Sequence, residues 1–198
     1  MTALHITRTL ARTDITLRHG NVHHALAAGL ACLLLLCAAA CTAMAQNVEE
    51  HDAKAAFMLK VLNFVQWPGD SHRDLVIGVV GSDSTMDALQ RQAYGKPVNG
   101  RNVVVRRMAV ESDLRACQIV FIGAGERKNI SPILERLRGS NVLTVSEVEG
   151  FGQHGGAINL LLSGGRIRME VNPHAAERAH LQISSRLLSL ATIVNDGN

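Results

Sequence analysis

The stretch Lys54-Ala55-Ala56-Phe57-Met58-Leu59-Lys60-Val61-Leu62-Asn63-Phe64-Val65-Gln66-Trp67-Pro68 constrains this chain more than any other part of it. Apolar residues at helical spacing nearly encircle it, and Lys60, Asn63 and Gln66, three apart, leave one narrow polar stripe. The arc carrying Phe57, Met58, Val61, Leu62, Phe64 and Val65 is wider than a helix on one core surface requires, so the pattern predicts a helix covered on more than one side. Pro68 disfavours helical conformation at Trp67 and lacks a backbone donor, which places the predicted end of the helix at this Trp-Pro pair.

What precedes the helix sets the compartment. Residues 25–45 run apolar from Ala25 through Leu36 to Ala45, follow Arg8, Arg12 and Arg18, and end in Ala43-Met44-Ala45, the small-x-small pattern that a signal peptidase cleaves. We therefore divide the chain into a signal peptide, 1–45, and a single exported domain, 46–198, with cleavage between Ala45 and Gln46. An uncleaved membrane anchor is the alternative, since about 20 apolar residues span a bilayer. A lipoprotein reading would acylate Cys41, but Ala38-Ala39-Ala40 offers no large aliphatic residue to open a lipobox.

Removing the leader changes the charge balance. Three of the 20 Lys and Arg and one of the 17 Asp and Glu precede residue 46, so the mature chain carries 17 basic against 16 acidic side chains. A near-neutral domain with one Trp and one Tyr has neither the charge nor the stacking surface of a nucleic-acid binder. Cys32, Cys37 and Cys41 leave with the leader, so Cys117 is a lone thiol with no internal disulfide partner. Two readings of it stay open: a small buried apolar residue at a strand entrance, or an intermolecular bridge in an oxidising compartment.

Along the mature chain short apolar runs alternate with helical segments, the rhythm of an α/β domain. Strands are expected at Leu75 to Val80, Val103 to Val105, Ile119 to Ile122 and Val142 to Val145, with short helices around Met86 to Arg91, after Ser112-Asp113, and from Ser131-Pro132 to Gly139. Ala157 to Leu162 and Arg166 to Val171 flank Ser163-Gly164-Gly165 and read as a β-hairpin, which adds an antiparallel edge to a mostly parallel sheet. A closing helix is expected from about His174 to Ile193. The fold class is α/β: one three-layer domain, its mixed sheet mostly parallel, with a C-terminal hairpin and helices on both faces.

Catalytic readings of the chain fail on their partners. Gly123-Ala124-Gly125 follows a strand, but Lys128 stands where a dinucleotide loop needs its third glycine. His154-Gly155-Gly156 is similar to an oxyanion loop, yet no Gly-x-Ser-x-Gly elbow accompanies it. His174, Glu177 and His180 drift around a helix rather than forming the tight His-Glu-x-x-His zinc pattern. No catalytic residue, metal or cofactor is assigned, and the chain is read as a binding protein rather than an enzyme.

Lys54-Ala55-Ala56-Phe57, Phe64 and Trp67-Pro68 resemble the opening signature of the YfiR family, and the resemblance continues through Phe121-Ile122-Gly123, Leu143-Thr144-Val145, Gly150-Phe151-Gly152, Gly155-Gly156-Ala157-Ile158, Arg168-Met169-Glu170-Val171-Asn172 and the Leu181 to Ala191 segment. It covers essentially the whole mature chain. The resemblance implies a periplasmic homodimer that represses a membrane-bound GGDEF diguanylate cyclase of the YfiN/TpbB type through its periplasmic sensor domain. It also implies sequestration by an outer-membrane lipoprotein, and it ties release of the cyclase to cyclic di-GMP and biofilm. In that family a cysteine ahead of the Phe-Ile-Gly strand pairs with one in the first strand, whose place here is taken by Gly78, so redox control through such a bridge does not transfer.

The interface candidates are Phe57, Phe64 and Trp67 on the first helix, Arg166 and Arg168 on the hairpin and Arg186 on the closing segment, although aromatic residues on a helix are more often core. The contrasting reading is a periplasmic small-molecule binder or hydrolase that uses the loops after Gly81, Gly123 and Val145, at the C-terminal strand ends where open α/β sheets place ligands. The leader yields the first test. Mass spectrometry of the protein recovered from the periplasm is expected to show Gln46 as its first residue, whereas a membrane-bound form retaining residues 1–45 would overturn the export reading.

Overall fold

The computed structural model describes residues 50–69 and 74–197; the expected signal peptide, the expected cleavage pair Ala45-Gln46 and Cys32, Cys37 and Cys41 lie outside the described residues. The first helix, α1, covers residues 50–61. It stops earlier than the Trp-Pro pair predicts. A 3-10 turn, Leu62–Phe64, leads into β1, Val65–Gln66, where Val65 is fully extended at φ −116°, ψ 135°. Two effects end the helix ahead of Pro68. The Asn63 side-chain amide donates to the carbonyls of Leu59 and Lys60, at 3.4 and 3.3 Å, which serves acceptors that a continuing helix would use. Val65 and Gln66 then pair antiparallel with β8, Gln182–Ile183, a tertiary gain that overrides local helical periodicity.

The main sheet has seven strands in the order β3-β2-β4-β5-β6-β7-β9. They are β2, Leu75–Val80; β3, Val103–Arg107; β4, Ile119–Ile122; β5, Leu143–Ser146; β6, Ile158–Ser163; β7, Arg166–Val171; and β9, Thr192–Ile193. From β3 to β6 every pairing is parallel, β6 and β7 are antiparallel, and β9 lies parallel to β7. Central strands β4 and β5 are buried at every position: β4 is a continuous apolar run, and the two polar residues of β5 are hydrogen-bonded, Thr144 Oγ1 accepting the Ala157 N–H at 3.0 Å and Ser146 Oγ donating to the Ile122 carbonyl at 2.7 Å. The β6–β7 turn is Gly164-Gly165 with φ of +58° and +73°, the double left-handed conformation of a tight two-residue hairpin.

Helices cover both faces. Together with α1, α2 (Asp83–Ala93) packs Met86, Ala88 and Leu89 against Ile77, Val79, Phe121, Val145 and Leu160. On the opposite face α3, Ile130–Leu137, lays Ile130, Ile133 and Leu137 over Val80, Val120, Ile122 and Phe151. The Asp113 cap expected from the sequence forms, its carboxylate accepting the Arg115 N–H at 3.2 Å above the 3-10 turn Leu114–Ala116.

The single closing helix expected over His174 to Ile193 is instead two short helices separated and followed by strand. Asn172 caps α4, Pro173–Arg178, by accepting the Ala175 N–H, and Pro173 occupies its first position. The helix then ends in a Schellman motif: His180 turns left-handed at φ +56°, Leu181 N–H reaches the Ala176 carbonyl at 2.9 Å, and His180 N–H reaches Glu177 at 2.9 Å. A histidine in the position usually held by glycine hides this stop from a reading of the sequence. β8 follows, Ser184 caps α5, Ser185–Leu188, and β9 completes the edge.

Cys117 is buried, 3 % exposed, and burial, the largest influence, raises its thiol pKa. The structure sets Gly78 of β2 directly beside it. A Cβ on Gly78 would lie 3.7 Å from Cys117 Cβ and 2.8 Å from Sγ, a separation suited to a disulfide, with the half-buried Met108 side chain having to give way. Gly78→Cys is therefore expected to form a bridge to Cys117 in oxidising buffer and to raise stability by about 4 kcal/mol in the chain-entropy view of a closed loop of this size. The check is a denaturant midpoint that rises only without reductant.

Candidate functional site

The C-terminal ends of β2, β4 and β5 are the place where an open α/β sheet binds ligands, and here the chain fills that place itself. Gly123 sits so close to the loop after β2 that a Cβ on it would come within 2.6 Å of the Gly81 carbonyl oxygen. Into the space above comes Lys54 of α1, only 5 % exposed. Its ammonium donates to Glu147 Oε2 at 2.6 Å and to Glu50 one turn earlier, while Glu147 Oε1 accepts the Ala124 N–H at 3.0 Å. The first amide of the loop that resembles a nucleotide cradle is thus turned to an internal carboxylate. Beside it His51 Nδ1 lies 3.0 Å from Thr85 Oγ1, which accepts from Ser82 Oγ at 2.9 Å. No observation favours the small-molecule or hydrolase reading at this end of the sheet.

Burial is the largest single influence on Lys54 and pushes its pKa down, but the hydrogen bonds and charges of Glu147 and Glu50 together outweigh it and raise the pKa above 10.5. A raised value means that the ion pair's contribution is fully present below pH 10.5 and is lost as pH rises through the folded-state value, so the pair is intact at neutral pH.

The lysine also sets the rotation of α1. Lys54, Ala55, Met58, Val61, Leu62 and Val65 form the buried stripe, and Phe57, Phe64 and Trp67 are left half-buried along its flank. The helix is therefore fully covered along one stripe and partly covered on both flanks, by Phe57 on one side and Leu59 on the other, with Ala53 and Lys60 exposed. Phe57 and Phe64, seven residues apart, share a side of the helix path. Trp67 is anchored: its indole N–H donates to the Gln118 carbonyl at 3.3 Å, and Gln118 Oε1 accepts the Val76 N–H at 2.8 Å. With Val65, Gln66, Leu75, Asn99 and Arg101 it lines a surface cavity of about 430 Å³.

The structure brings some of the candidates together and separates others. Ser184 N–H donates to the Phe64 carbonyl at 2.9 Å, which seats α5 and its exposed Arg186 beside the aromatic flank. Arg166 and Arg168 lie elsewhere. On β7 they alternate with Ile167 and Met169, which pack into the core beneath α1, so the two exposed arginines project from the opposite face of the sheet. Lys54 is the residue that sequence reasoning passed over as a site component. Its signal was a charged residue inside the apolar spacing, at i−4 from Met58.

The remaining polar motifs are structural or exposed. His154 Nδ1 lies 2.7 Å from the Gly150 carbonyl in a turn that folds Phe151 over Gly156, where a Cβ would be 2.1 Å from the ring. His174 pairs with Glu177 at 3.3 Å on the exposed side of α4 while His180 leaves the helix. Among the described residues no three His, Cys, Asp or Glu side chains converge as a metal site, and no helix is long and apolar enough to cross a membrane.

The pattern that defines the YfiR/HmsC-like family matches residues 51–192, from the first turn of α1 to β9. The chain belongs to this family. Among solved structures, a conserved domain protein from Vibrio cholerae O1 biovar El Tor is similar at 13 % identity and TM-score 0.53, over 74 % of this chain and 60 % of that one. The chain thus spans less than two thirds of that protein, and the likeness shows a shared fold alone. An ABC domain in complex with L-Trp from Streptococcus pneumonia, at 12 % identity and TM-score 0.43 over 61 % of this chain and 55 % of that one, is too distant to inform fold or site.

The Lys54 cluster supplies a test. Lys54→Met is expected to lower stability by about 3 kcal/mol, because Glu147 would be left as a nearly buried charge without its cation. Lys54→Met combined with Glu147→Leu is expected to recover part of that loss in urea unfolding, and equal midpoints for the single and double variants would contradict the coupling.

Proposed function

We propose that this protein is a periplasmic regulator that represses an inner-membrane diguanylate cyclase by binding the cyclase's periplasmic sensor domain, thereby lowering cyclic di-GMP and biofilm formation. Family membership supports the reading, and the observation that carries it is the half-buried aromatic flank of α1 and β1. Phe57, Phe64 and Trp67 are held at fixed positions by a buried stripe and by the Trp67–Gln118 hydrogen bond. Rigid, partly exposed aromatics are the groups that dominate protein contacts, because they bury much area at little entropic cost.

Repression by this route needs no chemistry. A partner shifts a two-state cyclase only by binding its inactive form more tightly than its active one, and a hundredfold preference corresponds to about 2.7 kcal/mol. Arg186, beside Phe64, belongs to the proposed contact; Arg166 and Arg168, across the sheet, fit a separate surface such as a homodimer contact. An outer-membrane lipoprotein that covers the aromatic flank would compete with the sensor domain and release the cyclase.

Deleting the gene is expected to raise cyclic di-GMP and surface attachment, and the rise is expected to vanish when the partner cyclase is also deleted. Trp67→Ala is expected to weaken sensor binding about 30-fold while costing about 1–2 kcal/mol of stability for one half-buried ring and one hydrogen bond, so that a cooperative unfolding transition is retained. Unchanged cyclic di-GMP on deletion, together with no binding to a periplasmic sensor domain, would overturn the proposal.

A further inference from the structure

At the end of the sheet opposite Lys54, a cavity of about 240 Å³ opens between the C-terminal end of α3, the start of β5, the His154-Gly155 turn and α4. Its polar wall includes Ser131, Glu135, Arg138, Thr144, His154 and Arg178. The volume is several times the roughly 30 Å³ that a water molecule occupies in the liquid, enough for a small organic molecule. Arg178 is the informative member of this wall. Its Nη1 and Nη2 donate to the two carboxylate oxygens of Asp196, at 2.7 and 3.0 Å, the forked geometry in which a guanidinium recognises a planar carboxylate. Asp196 Oδ1 also accepts from the buried Asn172 amide at 2.7 Å.

The segment that delivers Asp196 is held lightly. Strand β9 pairs with β7 over two positions, and beyond it the backbone bonds are Val194 N–H to Val171 and Gly197 N–H to Gln153, at 2.9 and 2.8 Å. Val194 lies over Gly152, where a Cβ would be 2.4 Å from Val194 Cγ2. Residues 192–197 thus form a strap over the turn that walls the cavity, and the strap's one carboxylate occupies the arginine at the cavity's edge. The pair is half exposed, so a dissolved carboxylate reaches the same guanidinium and competes with Asp196 for the fork.

We propose that the cavity is a binding site for a small carboxylate, with Arg178 as its receptor and Asp196 as an internal stand-in that the ligand displaces, loosening the strap. The ligand's carboxylate takes the fork that Asp196 vacates, and the Thr144 hydroxyl and those Arg138 N–H groups that its ion pair with Glu135 leaves over offer further donors to its remainder. This inference does not draw on the cyclase reading: it stands on the Arg178–Asp196 fork and the strap, and uses none of Phe57, Phe64 and Trp67.

The probes are acetate and succinate, titrated at constant ionic strength into the folded protein and followed by backbone amide shifts, with inorganic phosphate as the comparison anion. Saturable shifts are expected at Gly155 and at Val194 and Gly197 together. Asp196→Asn, which removes the competing charge, is expected to tighten succinate about tenfold, as removing a competing bound state should. Arg178→Lys, which keeps the charge and loses the fork, is expected to abolish saturation, with unfolding midpoints of both variants recorded to show that they are folded. The proposal is overturned if phosphate saturates where the carboxylates do not, if Arg178→Lys binds as the parent does, or if folded Asp196→Asn binds succinate no more tightly. Should either variant fail to fold, the parent's own shifts decide: movement at Gly155 without movement at Val194 and Gly197 would overturn displacement of the strap.

Discussion

A cation placed inside a protein must meet its counter-charge, and that requirement at Lys54 orders much of what surrounds it. An unpaired ammonium at 5 % exposure would cost several kcal/mol, so α1 docks with Lys54 against Glu147 at the end of β5. Once that contact is made, helical geometry sends Met58, Val61, Leu62 and Val65 down the same side onto the sheet, each contributing roughly 1.5–3 kcal/mol by burial. The same rotation puts Phe57 and Phe64 on the flank.

Two ends of one sheet thereby acquire different characters. At the C-terminal strand ends, Lys54, Glu147 and the close approach of Gly123 to Gly81 fill the crevice that related architectures leave for ligands. At the other end the chain leaves a cavity walled by Arg178 and Arg138 and strapped by residues that end the described chain. The aromatic flank lies on a third surface, along α1 and β1. The proposed partner surface and the proposed carboxylate site thus draw on different residues.

Strands β2 to β7 and their hairpin were legible in the sequence because each is a short run rich in apolar residues closed by glycine or polar turn chemistry, and the alternation of Arg166, Ile167, Arg168 and Met169 already implied which of them face solvent. Helix ends were less legible. Asn63 and Val65 end α1 through a side-chain bond and a pairing with a segment more than a hundred residues away, which no local window contains. His180 ends α4 in a conformation that glycine usually signals, so the expected closing helix concealed two stops and two strands. The candidate sites were half legible: the aromatic candidates stood out by type, whereas Lys54 was hidden within the apolar run and Arg178 and Asp196 by their separation along the chain.

By itself the sequence determined the family, the α/β class and the order of the main strands along the chain, since these depend on local composition and on periodicity that any one segment carries. Only the tertiary structure decided which candidates share a surface. Arg186 joins Phe64 because a backbone bond from Ser184 reaches across, and Arg166 and Arg168 fall away because a sheet has two faces. Gly78 meets Cys117, Lys54 meets Glu147 and Arg178 meets Asp196 for the same reason: parallel pairing and crossover connections set the distances between remote residues, and those distances are not written in any local pattern.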